Sequence, residues 1–171
     1  ELLEIVVVDD GSEPALELPD RNSFETERAF LKHIYKMGWF EFKDRSNEKV
    51  TRLPGQLHQQ MFELQRLTNC EIELLDDMNQ VTGDYLDSCT GFIGPSSESV
   101  FLRDCKDCIL TIACKQLRLR DCHNCIFFLY SHTDPALEGS TNCQFAPFNG
   151  AYAGLRDLFA KAHLDPEDNH W

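Results

Sequence analysis

Five short segments of this 171-residue chain end on cysteine at near-constant intervals: Leu67-Thr68-Asn69-Cys70, Leu86-Asp87-Ser88-Cys89, Cys105-Lys106-Asp107-Cys108, Cys122-His123-Asn124-Cys125 and Ser140-Thr141-Asn142-Cys143. The final cysteines stand 19, 19, 17 and 18 residues apart, a repeat of roughly 18 residues. Each repeat carries a polar corner just before that cysteine and an apolar burst after it, as in Ile109-Leu110-Thr111-Ile112-Ala113 and Ile126-Phe127-Phe128-Leu129. Ahead of each corner lies an alternating stretch, clearest in Val100-Phe101-Leu102-Arg103 and Gln116-Leu117-Arg118-Leu119-Arg120. Alternation is the pattern of a strand with one buried face. Strands of roughly four to six residues at this spacing leave no room for crossover helices. Short strands coiled and stacked in register, a parallel β-helix, fit the period, and the expected class is mainly β.

Stacking places equivalent residues above one another, so the cysteines become a ladder, with Cys105 and Cys122 starting a second column three positions earlier. A free cysteine behaves as a small hydrophobe and is among the most buried residue types. The competing reading is zinc, because Cys105-x-x-Cys108 and Cys122-x-x-Cys125 form two CxxC pairs separated by 13 residues. That spacing falls out of the repeat, and three other repeats carry only the second cysteine, so structural thiols are expected and no metal site. A redox CxxC would sit in a βαβ pattern, which is missing here. Disulfides belong to secreted chains, and nothing resembling a signal peptide opens this sequence, so the expected setting is cytoplasmic.

The 29 Asp+Glu against 16 Lys+Arg give a formal charge of −13 and a pI near 4.7. A nucleic-acid partner is not expected, since phosphate backbones are met by clustered bases. A membrane span is not expected either, because Leu2 to Val8 is short and interrupted by Glu4.

Two flanks differ from the repeats. Residues 1–46 read as an N-terminal extension and 47–171 as the β-helical domain with its terminal cap. In the extension, Asn22 and Glu25 form a capping box, Phe30, Leu31, Ile34 and Met37 follow helical spacing, and Gly38 is a stop, which predicts one amphipathic helix over residues 23–37. Glu4 to Val8 and Trp39 to Phe42 read as short strands, while Asp9 to Asp20 and Lys43 to Lys49 read as polar links. After the last repeat, Leu155, Leu158, Phe159 and Ala162 again follow helical spacing and predict a C-terminal capping helix.

If Leu117 and Leu119 face inward, pleating sends Arg118 and Arg120 outward on a rigid strand. One repeat step sets Arg120 over Arg103 and Glu138, and Arg118 over Phe101 and Ala136. Arg120 therefore has a carboxylate on its ladder and Arg118 does not. Such an arginine is either solvated or offered to an anion or a partner. No Gly-rich phosphate loop, GxSxG or HExxH accompanies it, and the six histidines lack ligand spacing. A self-sufficient enzyme is not expected, but an arginine supplied in trans needs nothing else from its donor.

The chain resembles the tubulin-binding cofactor C domain family, related to the C-terminal domain of cyclase-associated protein. The resemblance is carried by Arg52-Leu53-Pro54-Gly55, Gln60-Met61-Phe62, Asn69-Cys70, Gly94-Pro95, Ser99-Val100-Phe101, Cys105-x-x-Cys108, Ala113-Cys114-x-Gln116-Leu117-Arg118, Phe145-Ala146-Pro147-Phe148, and Leu164-Asp165 through Asn169-x-Trp171. It covers about 47–171, and its form is similar to the retinitis pigmentosa 2 branch. The resemblance implies a right-handed parallel β-helix and activation of GTP hydrolysis by a partner, either tubulin or an Arf-like small GTPase. The GTP is held by that partner, so no cofactor of the chain's own is implied. Cytoskeletal, ciliary or basal-body settings follow from the same likeness.

Residue by residue, the family's arginine finger falls on Arg118, and the implied partner-binding positions are Lys115, Gln116, Arg120, Glu138 and Phe148. An arginine finger offsets charge developing on the transferring phosphoryl group, an effect of about 10³ to 10⁵ in rate. Lys115 departs from the family's glutamine, presenting a point charge where an amide would make patterned hydrogen bonds. The lipidated Met-Gly-Cys start of the retinitis pigmentosa 2 branch is not matched. The rival reading is a non-catalytic cytoskeletal or ciliary scaffold using the same face, and an actin-regulatory module is a distant third.

Overall fold

A computed structural model describes residues 16–171. The strand read at Glu4 to Val8 lies outside the described residues. The chain divides into two compact units at Trp39 and Phe40.

In the first unit a single 3-10 turn over Arg21–Ser23 precedes helix α1, Glu27–Lys36. The expected capping box at Asn22 and Glu25 does not form. The cap is Thr26, extended at φ −139°, whose Oγ1 accepts the Ala29 N–H at 3.1 Å. Asn22 lies inside the preceding turn, its own N–H held by the Asp20 carboxylate at 2.9 Å. A short acidic side chain that closes a turn on its neighbour competes with helix nucleation, so the helix starts only beyond it. The stop stands where it was read. Gly38 at φ 76° lets Trp39 N–H reach the Ile34 carbonyl while its own N–H reaches that of Tyr35, the left-handed ending that glycine adopts most easily.

The second unit is the coil. Its strands are β1 (Glu41–Ser46), β2 (Lys49–Arg52), β3 (Phe62–Thr68), β4 (Glu71–Leu74), β5 (Val81–Asp87), β6 (Thr90–Arg103), β7 (Ile109–Arg120), β8 (Ile126–Ser131), β9 (Ala136–Glu138) and β10 (Gln144–Pro147), and every pairing is parallel. One ladder runs β1, β3, β5, the end of β6, the end of β7, β9. The other runs β2, β4, the start of β6, the start of β7, β8, β10. This is the expected parallel β-solenoid.

Three details differ from the sequence reading. Strands β6 and β7 are 14 and 12 residues long rather than four to six, because they continue around the bend between the two ladders. Register shifts between Ile93 and Ser96 and between Ser96 and Ser99 take up the angle without breaking the pairing. Trp39 and Phe40 are in a turn, and the strand starts at Glu41. The stretch Lys43 to Lys49, read as a polar link, is mostly strand, because in β1 only Phe42 is buried and its charged neighbours hide the alternation.

Each turn changes direction at two left-handed residues three positions apart. The first column is Asp44, Arg66, Tyr85, Asp104, Asp121 and Gly139, and the second is Asn47, Asn69, Ser88, Asp107, Asn124 and Asn142, all at φ 51–59°. Asn and Asp dominate because their short polar side chains tolerate this backbone. The residue after each corner turns inward, and this is where the cysteines sit: Cys70, Cys89, Cys108 and Cys125 are buried, while Cys143 in the last turn is half-buried.

The inward columns include Phe62, Val81, Val100 and Leu117 on one ladder and Leu74, Ile93, Ile112 and Leu129 on the other, all fully buried. At the first turn Arg52 occupies the level of Leu74, its guanidinium 4.4 Å from the centre of the Phe42 ring. Burial pulls its pKa down to about 10.

Helix α2, Leu155–Lys161, and the residues just after it pack Phe159, Ala162 and Leu164 onto Ala113 and Tyr130, neighbours on successive turns, and so cover a flank of the coil. The tail beyond it is strapped to β8. Asn169 takes the Ser131 N–H on Oδ1 and gives its amide to the Leu129 carbonyl, both at 3.0 Å, and His170 N–H reaches the Ser131 carbonyl at 2.8 Å. One side chain thereby carries the bonding of β8 on past the end of β10.

Two outcomes follow. Tyr85 holds φ 58° with a bulky side chain that is 57% exposed. Tyr85→Asn is expected to stabilise the chain by about 1 kcal/mol, raising Tm by about 2–4 °C in thermal unfolding. Hydrogen bonds that the His170 ring gives to the Asp134 and then the Asp168 carboxylate raise its pKa above the ordinary imidazole value. A raised folded pKa means stabilisation that is complete below the unfolded value and lost as pH climbs through the folded one. Exchange of the His170 amide, corrected for base catalysis, should therefore accelerate from about pH 6.5 upward, and His170→Gln should remove that step.

Candidate functional site

In β7, Leu117 and Leu119 are buried while Arg118 and Arg120 are exposed, with Gln116 half-buried on their side of the pleat. The parallel register sets Arg118 between Phe101 and Ala136, and Arg120 between Arg103 and Glu138. Both follow from the single repeat step.

Ion pairs divide these cations. Arg103 grips Asp84 with a two-pronged bond, Nη2 to Oδ2 at 2.7 Å, which pushes its pKa above the ordinary guanidinium value. Arg120 Nε donates to Glu138 Oε2 at 2.9 Å. Lys115 Nζ lies 3.1 and 3.3 Å from the two Glu98 carboxylate oxygens. Among the described residues no carboxylate pairs with Arg118. Its guanidinium lies over the Phe101 ring, 4.5 Å from the centroid, with those of Arg103 and Arg120 at 5.2 and 5.7 Å from the same ring. The arrangement is one arginine without an anion, on an aromatic face, bordered by two arginines already neutralised.

Five of the six residues read as a site are on β7 and its neighbour β9: Arg118, Lys115, Gln116, Arg120 and Glu138. Phe148 is not with them. It follows β10, and its ring packs edge-on against Phe92 at 5.9 Å and against Phe159 of α2 at 5.7 Å. The sequence reading missed Asp84, Glu98 and the role of Phe101 as a platform. The signal for the two acids was present, since Asp84 precedes Arg103 by 19 residues and Glu98 precedes Lys115 by 17, each one repeat step. For the platform the repeat step had already set Arg118 over Phe101, but spacing alone does not say that the guanidinium lies on the ring face.

The thiols are bound up in the backbone. Cys108 Sγ points to the carbonyls of Lys106 at 3.2 Å and Leu86 at 3.5 Å, and Cys125 repeats the pattern on His123 and Cys105. Burial pushes the Cys70 and Cys143 thiols above their ordinary pKa and that of Cys114 up to about 12, which keeps them protonated and poor as nucleophiles or ligands. Among the described residues no group of three or more His, Cys, Asp or Glu side chains is placed to hold a metal ion, and no helix is long and apolar enough to cross a membrane.

Comparison with known proteins matches residues 59–171 to the family model described as tubulin binding cofactor C. The chain is 35% identical over 130 residues to tubulin-specific chaperone C of Bos taurus, covering 76% of this chain and 38% of that protein. Over 125 residues it is 42% identical to protein XRP2 of Danio rerio, covering 73% of this chain and 33% of that one. Tubulin-folding cofactor C of Arabidopsis thaliana is 30% identical over 110 residues, or 64% of this chain and 32% of that protein. The match thus spans about a third of each relative's length.

With its two side chains 45% and 69% exposed, the Arg120–Glu138 pair is screened by water. Glu138→Gln is expected to change urea-unfolding stability by less than about 0.5 kcal/mol, and a larger loss would mean that the pair holds β9 in place.

Proposed function

This chain belongs to the tubulin binding cofactor C family, and from that premise we propose that its coil is a GTPase-regulating module which offers Arg118 in trans to a GTP-bound partner. The supporting observation is that Arg118, in the motif Cys114-Lys115-Gln116-Leu117-Arg118, has no carboxylate partner among the described residues while Arg103, Arg120 and Lys115 all have one. A paired guanidinium must break its pair before it can serve another molecule. Arg118 need only leave a ring.

Two partner classes are proposed, one from the relatives' names and one from the family resemblance. Tubulin-specific chaperone C and tubulin-folding cofactor C are named for tubulin, and the XRP2 likeness extends the choice to a small GTPase of the Arf-like class. The module brings no cofactor, because the nucleotide resides on the partner, and it works as a monomer in the cytoplasm on cytoskeletal or ciliary GTPases. Inserted beside the γ-phosphate, the guanidinium supplies N–H donors and a fixed charge where negative charge builds up in the transition state. Gln116, Arg120 and Glu138 shape the docking face around it.

A second reading has its own observation. Lys115 is tied to Glu98, so it is not positioned as an amide would be, and the module would then bind the GTPase without accelerating hydrolysis. Single-turnover GTP hydrolysis by the partner, with binding measured in parallel, separates the two. The expected result is that Arg118→Ala lowers the stimulated rate by about 10³-fold or more while affinity changes only a few-fold. Equal stimulation by both proteins would sink the proposal, and tight binding without stimulation, restored by Lys115→Gln, would support the scaffold reading.

A further inference from the structure

We infer that Phe101 is a positioning residue for Arg118, fixing where its guanidinium stands before a partner arrives. The inference rests on the reading of Arg118 just given. Phe101 is half-buried on the outward face of β6, register neighbour to Arg118 on one side and Thr82 on the other. Its ring attracts cations through its electron-rich face. Three guanidiniums lie around it, at 4.5, 5.2 and 5.7 Å from its centre.

The two more distant ones are held from outside, Arg103 by Asp84 and Arg120 by Glu138. Their charges are compensated, and both stand two residues further along their strands, paired in register with each other. Among the described residues Arg118 has only the ring, which therefore decides its direction. Without the ring, a side chain with four rotatable torsions would sample many directions, and each encounter with a nucleotide pocket would have to select the productive one. An aromatic hold restricts that search and still releases the group. A carboxylate at position 101 would restrict it as well and would also compete with the partner's phosphate.

Substitutions that keep the coil but change the face test this. Phe101→Leu removes the electron-rich ring and keeps an apolar side chain; Phe101→Tyr keeps the ring. The expected result for Phe101→Leu is a two- to fivefold fall in single-turnover GTP hydrolysis by an Arf-like GTPase or tubulin saturated with the chain, with Kd for the GTP-loaded partner unchanged within about twofold. Phe101→Tyr should match wild type. A merely structural role would instead lower Tm and weaken binding together.

NMR of the isolated chain supplies a readout that needs no GTPase: the Arg118 Nε–H and δ-methylene signals should be shifted upfield by the ring current in wild type and Phe101→Tyr, and revert in Phe101→Leu. Unshifted Arg118 signals in wild type overturn the inference even if the leucine variant fails to fold. So does full turnover by a folded Phe101→Leu protein. If Arg118→Ala itself keeps full stimulation, the functional reading falls, whereas an inactive Arg118→Ala beside a fully active Phe101→Leu removes the positioning role alone.

Discussion

Two left-handed residues per turn are the constraint from which the rest of this coil follows. They place every corner at the same level of the stack, so that each strand meets its predecessor in one register. The residue just past the corner points into the interior, where leucine or cysteine is buried, as at Leu67, Leu86, Cys105 and Cys108. Cysteine is small, apolar in behaviour and able to direct a weak S–H donor at nearby carbonyls. The bonds of Cys89 to the Leu67 and Asp87 carbonyls, and of Cys122 to those of Leu102 and Arg120, repeat one geometry. With corners fixed, pleat parity is fixed, and a slip by one residue would exchange Leu117 and Leu119 with Arg118 and Arg120. The outward arginines are thus a consequence of the corners.

The same logic explains what the sequence made legible. The period, the parallel stacking, the inward leucines and the Arg120–Glu138 pairing all descend from one-dimensional spacing, which a repeat converts directly into vertical neighbours. Features that depend on local competition were harder to read. At the start of α1, Asn22 and Thr26 both suit a cap, and only the turn closed by Asp20 decides between them. In β1 the charges of Lys43, Asp44 and Arg45 obscured a strand whose single buried anchor is Phe42. Contacts outside the ladders carried no linear trace, which is why the aromatic packing of Phe148 emerged only from the structure, while the repeat step gave Phe101 as the neighbour of Arg118 and left the stacking itself to the structure.

Much of the motif content that marks this family is architectural. Arg52 fills the interior beside Phe42 and Phe62 at the first turn. Asn169 completes the backbone hydrogen bonding of β8. Phe148 joins Phe92 and Phe159 beneath α2. For each of these residues the fold alone is a sufficient reason. Arg118 is the exception: it buries no apolar surface in the core, closes no ion pair among the described residues and caps no element. A residue with no structural task in a motif full of structural residues is where a functional task is most economically placed.

Energetics decide whether that arginine can do it. An exposed cation–aromatic contact stabilises by about 0.5–1 kcal/mol, whereas a hydrogen bond to a charged group contributes about 1.5–3 kcal/mol, and a guanidinium can make several at once to a phosphate. Moving Arg118 from its ring to an anion is therefore favourable on the first bond. Moving Arg120 or Arg103 first requires giving up Glu138 or Asp84, which cancels most of the gain and strands a carboxylate on the surface. In a chain of net charge −13 carboxylates are plentiful, and the repeat steps from Arg103, Lys106 and Arg120 each land on one. The step from Arg118 lands on Phe101 and Ala136, so register, more than composition, leaves this cation able to leave its place.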